Sequence, residues 1–107
     1  MNAAPQCCIV YILECADGKY YTGSTTSIEE RVDEHQMGVD PFSFTYTRRP
    51  VKLVWSECFS TQMEEAAIER QLKGWSRLKK EALIRGDWEA VHEIVKVERK
   101  RREKRQR

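Results

Sequence analysis

The chain has 107 residues, 40% of them hydrophobic, with nineteen basic and seventeen acidic side chains and a formal net charge of +2. Such a length and balance describe one ordinary globular domain rather than a disordered chain. The longest apolar run, Cys7 to Leu13, is far short of the ~20 residues that a membrane helix needs, and Met1–Gln6 lacks the basic start of a secretory signal.

The charge is unevenly spread. Residues 96–107 carry eight Lys/Arg and two Glu, a local +6; residues 1–95 then hold eleven basic and fifteen acidic side chains, or −4. A tail of this kind reads either as an arm for nucleic acid or another acidic partner, or as a solvated helix end. Cys7, Cys8, Cys15 and Cys58 show no C-x-x-C spacing. Neighbours in a strand point to opposite faces, so Cys7 and Cys8 do not suit one disulfide framework. Reduced, buried cysteines in a cytoplasmic protein are therefore expected.

In chain order, residues 8–15 are nearly all apolar and predict a strand buried on both faces. Asp17-Gly18 predicts a hairpin turn, and Lys19 to Gly23 has strand chemistry. Ser27 and Glu30 have capping-box spacing and open a helix that runs to about Met37, where Gly38 stops it. On that helix Ile28, Val32 and His35 form a buried stripe, with Arg31 on its edge. An arginine there either snorkels to water or meets an anion.

Residues 38–50 are the least regular stretch. Their aromatics, hydroxyls and arginines suit a loop on a sugar-phosphate backbone, and packing of Phe42 and Phe44 onto the domain is an equal alternative. Val51 to Phe59 returns to strand, with Val51, Leu53 and Trp55 alternating against Lys52 and Ser56. Thr61 and Glu64 again have capping-box spacing and open a helix over 62–73, on which Glu65 and Glu69 flank the stripe of Ile68, Leu72 and Trp75. Gly74 breaks that helix, Ser76 caps the next over 77–84, and Gly86-Asp87 repeats the pattern before a last amphipathic helix built on Trp88, Val91 and Val95. The order predicts an α+β fold, β-β-α-β-α-α plus a C-terminal helix, around a small three-stranded antiparallel sheet. Residues 1–86 are expected to form the domain and residues 87–107 a C-terminal helix and basic tail.

Ile9-Val10-Tyr11, Tyr21-Thr22-Gly23, Arg31 eight residues further on, and Glu69 on the helix after the third strand together resemble a GIY-YIG domain. The runs Tyr46 to Val54, Lys73 to Arg77 and Lys79 to Ile84 are similar to the small single-domain bacterial branch of that superfamily and to structure-specific nuclease subunits. The likeness covers roughly residues 8–84 and departs from the family at Ile9, which replaces the first motif's glycine. It implies a metal-dependent endonuclease that hydrolyses phosphodiester bonds in DNA, in repair or recombination, with one Mg²⁺ or Mn²⁺. Tyr11 is then the family's candidate base, Tyr21 its support, Arg31 a stabiliser of phosphate charge, and Glu69 the metal ligand. His35 has a pKa better matched to proton transfer than tyrosine, and binds phosphate, assists the proton or simply packs. Tyr46, Arg48, Arg49 and Lys73, with Arg99, Lys100, Arg101 and Arg102 of the tail, are the expected nucleic-acid contacts. A binding module without turnover, and a subunit that needs a protein partner to choose its substrate, are the competing readings.

Overall fold

The computed structural model describes residues 8–105. Strands β1 (Cys8–Cys15), β2 (Tyr20–Thr25) and β3 (Val51–Phe59) form one antiparallel sheet in the order β2-β1-β3. The apolar run of β1 thus becomes the central strand, with Val10, Tyr11, Ile12 and Leu13 all fully buried. Helix α1 (Ile28–Met37) follows β2, and α2 (Gln62–Lys73) follows β3 and packs on all three strands. Leu13, Cys15 and Val51 gather with Tyr11 on one face, and Tyr21, Ile28 and Val32 pack against them. Truncating such a side chain, Leu13→Ala for example, costs about 2–5 kcal/mol.

Local chemistry at the helix ends differs in part from the spacing rules. Ser27 occupies the N-cap of α1 in an extended conformation, but its side chain makes no cap bond. Thr25 Oγ1 instead accepts the Ser27 N–H at 3.0 Å and donates to the Ser27 carbonyl at 3.2 Å, so the turn is fixed one step earlier. At α2 the Glu64 N–H does donate to Thr61 Oγ1 at 3.1 Å, one half of a capping box. Gly38 ends α1 at φ 68°, and a Cβ there would run into the Arg49 guanidinium. The positive φ is what favours glycine there, since the guanidinium is the end of a flexible side chain that can move aside.

The alternation expected in β3 is interrupted. Ile12 pairs with Trp55 while Leu13 pairs with Leu53, so the register shifts by one residue at Val54. A bulge of this kind exchanges the faces on its two sides. Leu53 therefore stays on the face of Leu13 and Val51, while Trp55 joins Ile12 on the other.

The cysteine expectation needs correction. Cys15 is buried and free and Cys8 half-buried and free, but Cys58 is disulfide-bonded and its residue is exposed. The rule about strand neighbours bars a bridge framework that uses both members of an adjacent pair; it does not bar a single bridge. Cys7 lies outside the described residues.

The chain divides into two compact units, one up to Lys73 and one from Gly74 onward. In the second, α3 (Arg77–Ile84) starts at Ser76, whose hydroxyl accepts the Lys79 N–H at 3.3 Å. Helix α4 (Trp88–Arg105) starts at Asp87, whose carboxylate accepts the Ala90 N–H at 3.0 Å. Lys79 is 7% exposed, lies over the Trp75 ring and donates to Glu98 at 2.5 Å, which ties α3 to α4. A buried lysine without that partner would be strongly unfavourable. Beyond Glu98 every described residue of α4 is exposed, and the helix continues through the basic run to Arg105. No helix among the described residues is long and apolar enough to cross a membrane.

Candidate active site

Strand pairing brings the two tyrosine motifs together. Tyr11 on β1 lies opposite Gly23 on β2, and a Cβ on Gly23 would come within 2.6 Å of the Tyr11 hydroxyl. The glycine of Tyr21-Thr22-Gly23 is therefore the space that the Tyr11 side chain occupies. The Tyr11 and Tyr21 rings lie 6.3 Å apart, and the His35 ring of α1 stands 5.0 Å from that of Tyr21. The spacing that put His35 on the inner stripe of α1 aims it at β1, where the Tyr11 hydroxyl meets its Nε2 at 2.9 Å. Its Nδ1 is 2.7 Å from Thr45 Oγ1, which is 3.1 Å from Ser43 Oγ. Thr45 is 1% exposed.

Arg31 shares the edge of this group. Its Nε forms an ion pair with Glu34 Oε2 at 3.3 Å, on a side chain that is 43% exposed. A guanidinium at the wall of an open cavity, with donors beyond the paired Nε, is suited to an anion. The cavity, of ≈ 240 Å³, is lined by Tyr21, Arg31, His35, Ser43 and Thr45, with Glu34 and Asp40 among the other lining residues.

The electrostatics set limits on the chemistry. Burial pushes the Tyr11 phenol well above its ordinary range; Tyr21 adds to the rise, Arg31 opposes it, and Glu69 adds a further increment. Arg31 does not lower the phenol overall, so free phenolate is still rarer here than the one part in about a thousand expected of an ordinary tyrosine at pH 7. Burial, reinforced by Arg31, holds His35 below the usual imidazole range. His35 is therefore a neutral ring at neutral pH, able to accept a proton from Tyr11.

Glu69 on α2 holds Lys73 at 2.9 Å, one helical turn on. Burial would raise its carboxyl, but hydrogen bonds from Lys73 and from Ser24 on β2 outweigh that and hold it below the carboxylate range. The carboxylate is thus an anion whose counter-charge is already present. Lys73 is 56% exposed and Glu69 20%, so the ammonium is the partner free to swing into solvent. No cluster of three or more His, Cys, Asp or Glu side chains stands together among the described residues. One ionised carboxylate supplemented by water fits Mg²⁺, which keeps several waters and does not need a cage of protein ligands.

The expected nucleic-acid contacts divide into two groups. Arg48 is engaged inside the fold: it donates to the Phe44 carbonyl at 2.7 Å, pairs with Asp17 at 3.0 Å and covers the Phe44 ring at 3.9 Å. Arg49 donates to the Tyr46 carbonyl at 2.9 Å and lies over the Tyr46 ring. Both shape the 38–50 loop, and Tyr46 is half-buried beneath Arg49. Phe44 stacks on Tyr21, so it is a packing residue; Phe42, 97% exposed, is not. Lys73 is held on Glu69, whereas Arg99, Lys100, Arg101 and Arg102 are exposed on α4. Sequence reasoning missed Ser24, Ser43 and Thr45. The concentration of hydroxyls in the 43–47 run was the available signal.

Residues 7–82 match the GIY-YIG catalytic domain family. The chain is 40% identical over 89 residues to a UPF0213 protein of Bacillus pumilus, covering 80% of this chain and 90% of the relative. It is 46% identical over 75 residues to a UPF0213 protein of the archaeon Halobacterium salinarum, covering 70% of this chain and 96% of the relative. The solution NMR structure of an E. faecalis protein superimposes with a TM-score of 0.55 at 32% identity, covering 80% of this chain and 90% of that one. This chain belongs to the GIY-YIG catalytic domain family.

Proposed function

We propose that the protein is a metal-dependent endonuclease that hydrolyses phosphodiester bonds in DNA, acting in repair or recombination. The observation that carries this reading is that Arg31 and His35 line one cavity while the buried Tyr11 hydroxyl meets His35 Nε2 directly behind it. Arg31 binds the phosphate and stabilises the charge that grows on its oxygens. Glu69 would hold Mg²⁺ or Mn²⁺, which supplies a second positive charge for the phosphate when bound.

Proton transfer falls to this chain's own residues. The raised Tyr11 phenol does not ionise in advance, so it works as a relay. The attacking water loses its proton to the Tyr11 oxygen as its own oxygen bonds to phosphorus, while the Tyr11 proton passes to His35 Nε2. The P–O bond to the leaving group breaks, and that oxygen takes a proton from solvent. Afterwards His35 returns its proton to bulk water. Tyr21 positions the Tyr11–His35 pair through ring contact on both sides.

In this reading Arg99, Lys100, Arg101 and Arg102 supply attraction to the phosphate backbone, and Lys73, released from Glu69, contacts phosphate. The reading also places the protein in the cytoplasm, where thiols are held reduced and the Cys58 disulfide would open.

A binding module without turnover is the second reading, and Lys73 favours it. Because that ammonium already neutralises Glu69, the carboxylate does not need a metal for its own stability. A nicking assay on linear, branched and single-stranded DNA with Mg²⁺ or Mn²⁺, run with Glu69→Gln beside the parent, separates the two. The nuclease reading expects metal-dependent nicking that falls about a hundredfold in the variant, the effect of losing ~3 kcal/mol of transition-state stabilisation. A parent that cuts no substrate, with binding unchanged by the substitution, establishes the binding module.

A further inference from the structure

The nuclease reading assigns the proton of Tyr11 to His35, but an imidazole accepts at Nε2 only in one tautomer. We propose that Thr45 is a positioning residue that holds His35 in the Nδ1–H tautomer, so that its Nε2 lone pair faces Tyr11. The inference deepens the nuclease reading and rests on it for its consequence in catalysis.

Proton accounting fixes the direction of each bond. Tyr11 is fully buried and carries one hydroxyl proton; His35 Nε2 lies 2.9 Å away. An incoming N–H from Nε2 would leave the phenolic proton with no described acceptor, an unfavourable arrangement inside a fold. The hydroxyl therefore donates to Nε2. A neutral imidazole has one N–H, which then sits on Nδ1 and points at Thr45 Oγ1, 2.7 Å away. Thr45 in turn passes its own proton towards Ser43 Oγ at 3.1 Å, at the lining of the cavity. The order of donation is Tyr11, His35, Thr45, Ser43.

Thr45 is suited to this by where it stands. It is 1% exposed, so water does not compete for the His35 Nδ1–H, and the residues on either side are fixed. Phe44 is stacked between Tyr21 and Arg48, and Tyr46 donates its N–H to the Ser43 carbonyl at 3.1 Å. A hydroxyl held in this way selects the tautomer as a carboxylate or carbonyl does for other working histidines.

The test uses the full chain labelled with ¹⁵N, and reads the His35 ring nitrogens near neutral pH. The parent should show a protonated Nδ1 and an unprotonated Nε2. Thr45→Val keeps the volume and removes the acceptor; it should move the ring to a mixture or to the Nε2–H form, and Thr45→Ser should restore the parent pattern. On a substrate that the parent nicks, Thr45→Val should slow the cleavage step by about tenfold or more at unchanged substrate affinity, with recovery in Thr45→Ser. A parent ring with Nε2–H as the populated form overturns the proposal, even if no variant folds. An Nδ1–H form that persists in Thr45→Val overturns it as well. A parent that nicks nothing while the tautomer responds as described would defeat the nuclease reading and leave the assignment of Thr45 standing.

Discussion

In the unit ending at Lys73, Tyr11, His35 and Thr45 point their polar atoms at one another inside the fold, and each has a definite partner. In the unit beginning at Gly74, the cations from Arg99 to Arg105 stand in solvent on a helix that continues past its last packed turn. The first arrangement sets chemistry by geometry, so removing one atom matters. The second acts by summed charge, so its effect depends on salt and no single residue dominates. Substitutions in the two units should therefore fail in different ways.

The largest effect is expected at Tyr11. Tyr11→Phe keeps the buried ring and removes the hydroxyl that meets His35 Nε2. The cleavage step should slow by ~10² or more, while the fold loses only about 1 kcal/mol for the broken hydrogen bond. Single-turnover rates and a denaturant titration measure the two quantities separately. Equal cleavage by the variant and the parent would leave the buried unit without its defining contrast.

Removal of the exposed cations should do the reverse. Truncation after Glu98 deletes seven Lys/Arg and one Glu, a change of −6, and keeps the carboxylate that partners the buried Lys79. For every phosphate that the shortened chain no longer neutralises, the slope of log affinity against log salt should flatten by roughly 0.9 on duplex and 0.7 on single-stranded DNA. Several such units are expected, with the cleavage step intact. A truncation ending at Val95 would also orphan Lys79 and confuse a charge effect with a folding defect. An unchanged salt slope would reduce the helix end to a solvated extension.

A smaller effect is expected at Gly23. The Cβ of Gly23→Ala would press on the Tyr11 hydroxyl at 2.6 Å, and the strand must shift to admit it. Overpacking of this kind costs about 1–3 kcal/mol. Because the displaced atom is the working one, cleavage should fall by more than the drop in stability accounts for, which paired melts and rates will show.

The smallest effect concerns pH. His35 is held below the ordinary imidazole range by burial and by Arg31, so the folded state binds its proton less readily than the unfolded chain does. Its contribution to stability is present above the unfolded value of roughly 6.5 and is lost as pH falls through the depressed folded value. Thermal melts should decline through this acid window in the parent and decline less in His35→Gln. Identical profiles would remove His35 from the titration.

Much of the first unit was legible in the sequence because its signals are local. The apolar run of β1, the Asp17-Gly18 turn and the Gly38 stop each act over a few residues, and the strands and helices fall where these place them, except that β2 runs on past Gly23 to Thr25. Tyr11 and His35 were legible as candidates from their positions on strand and helix. Their hydrogen bond was not, because it spans 24 residues and depends on how α1 lies on the sheet. Thr45 was hidden for the same reason, in a loop with no periodicity. Arg48 and Arg49 illustrate the converse: charge in a loop suggested a phosphate contact, while both guanidiniums are bonded to the loop's own carbonyls. The bulge at Val54 left no mark on the β-branched pattern around it, since composition does not reveal a one-residue shift in pairing.

The central claim is that the cavity beside Tyr11 and His35 holds a phosphate for cleavage, and Arg31 is its most direct probe. The guanidinium lines the cavity and its ion pair with Glu34 is half-exposed, so its removal should spare the fold. The decisive measurement is Mg²⁺- or Mn²⁺-dependent nicking of linear, branched and single-stranded DNA by the parent and by Arg31→Ala under single-turnover conditions. The parent should nick at least one of these substrates, and the variant should be slower by about a hundredfold or more with its melting transition preserved. Nicking by Arg31→Ala at the parental rate would contradict the claim.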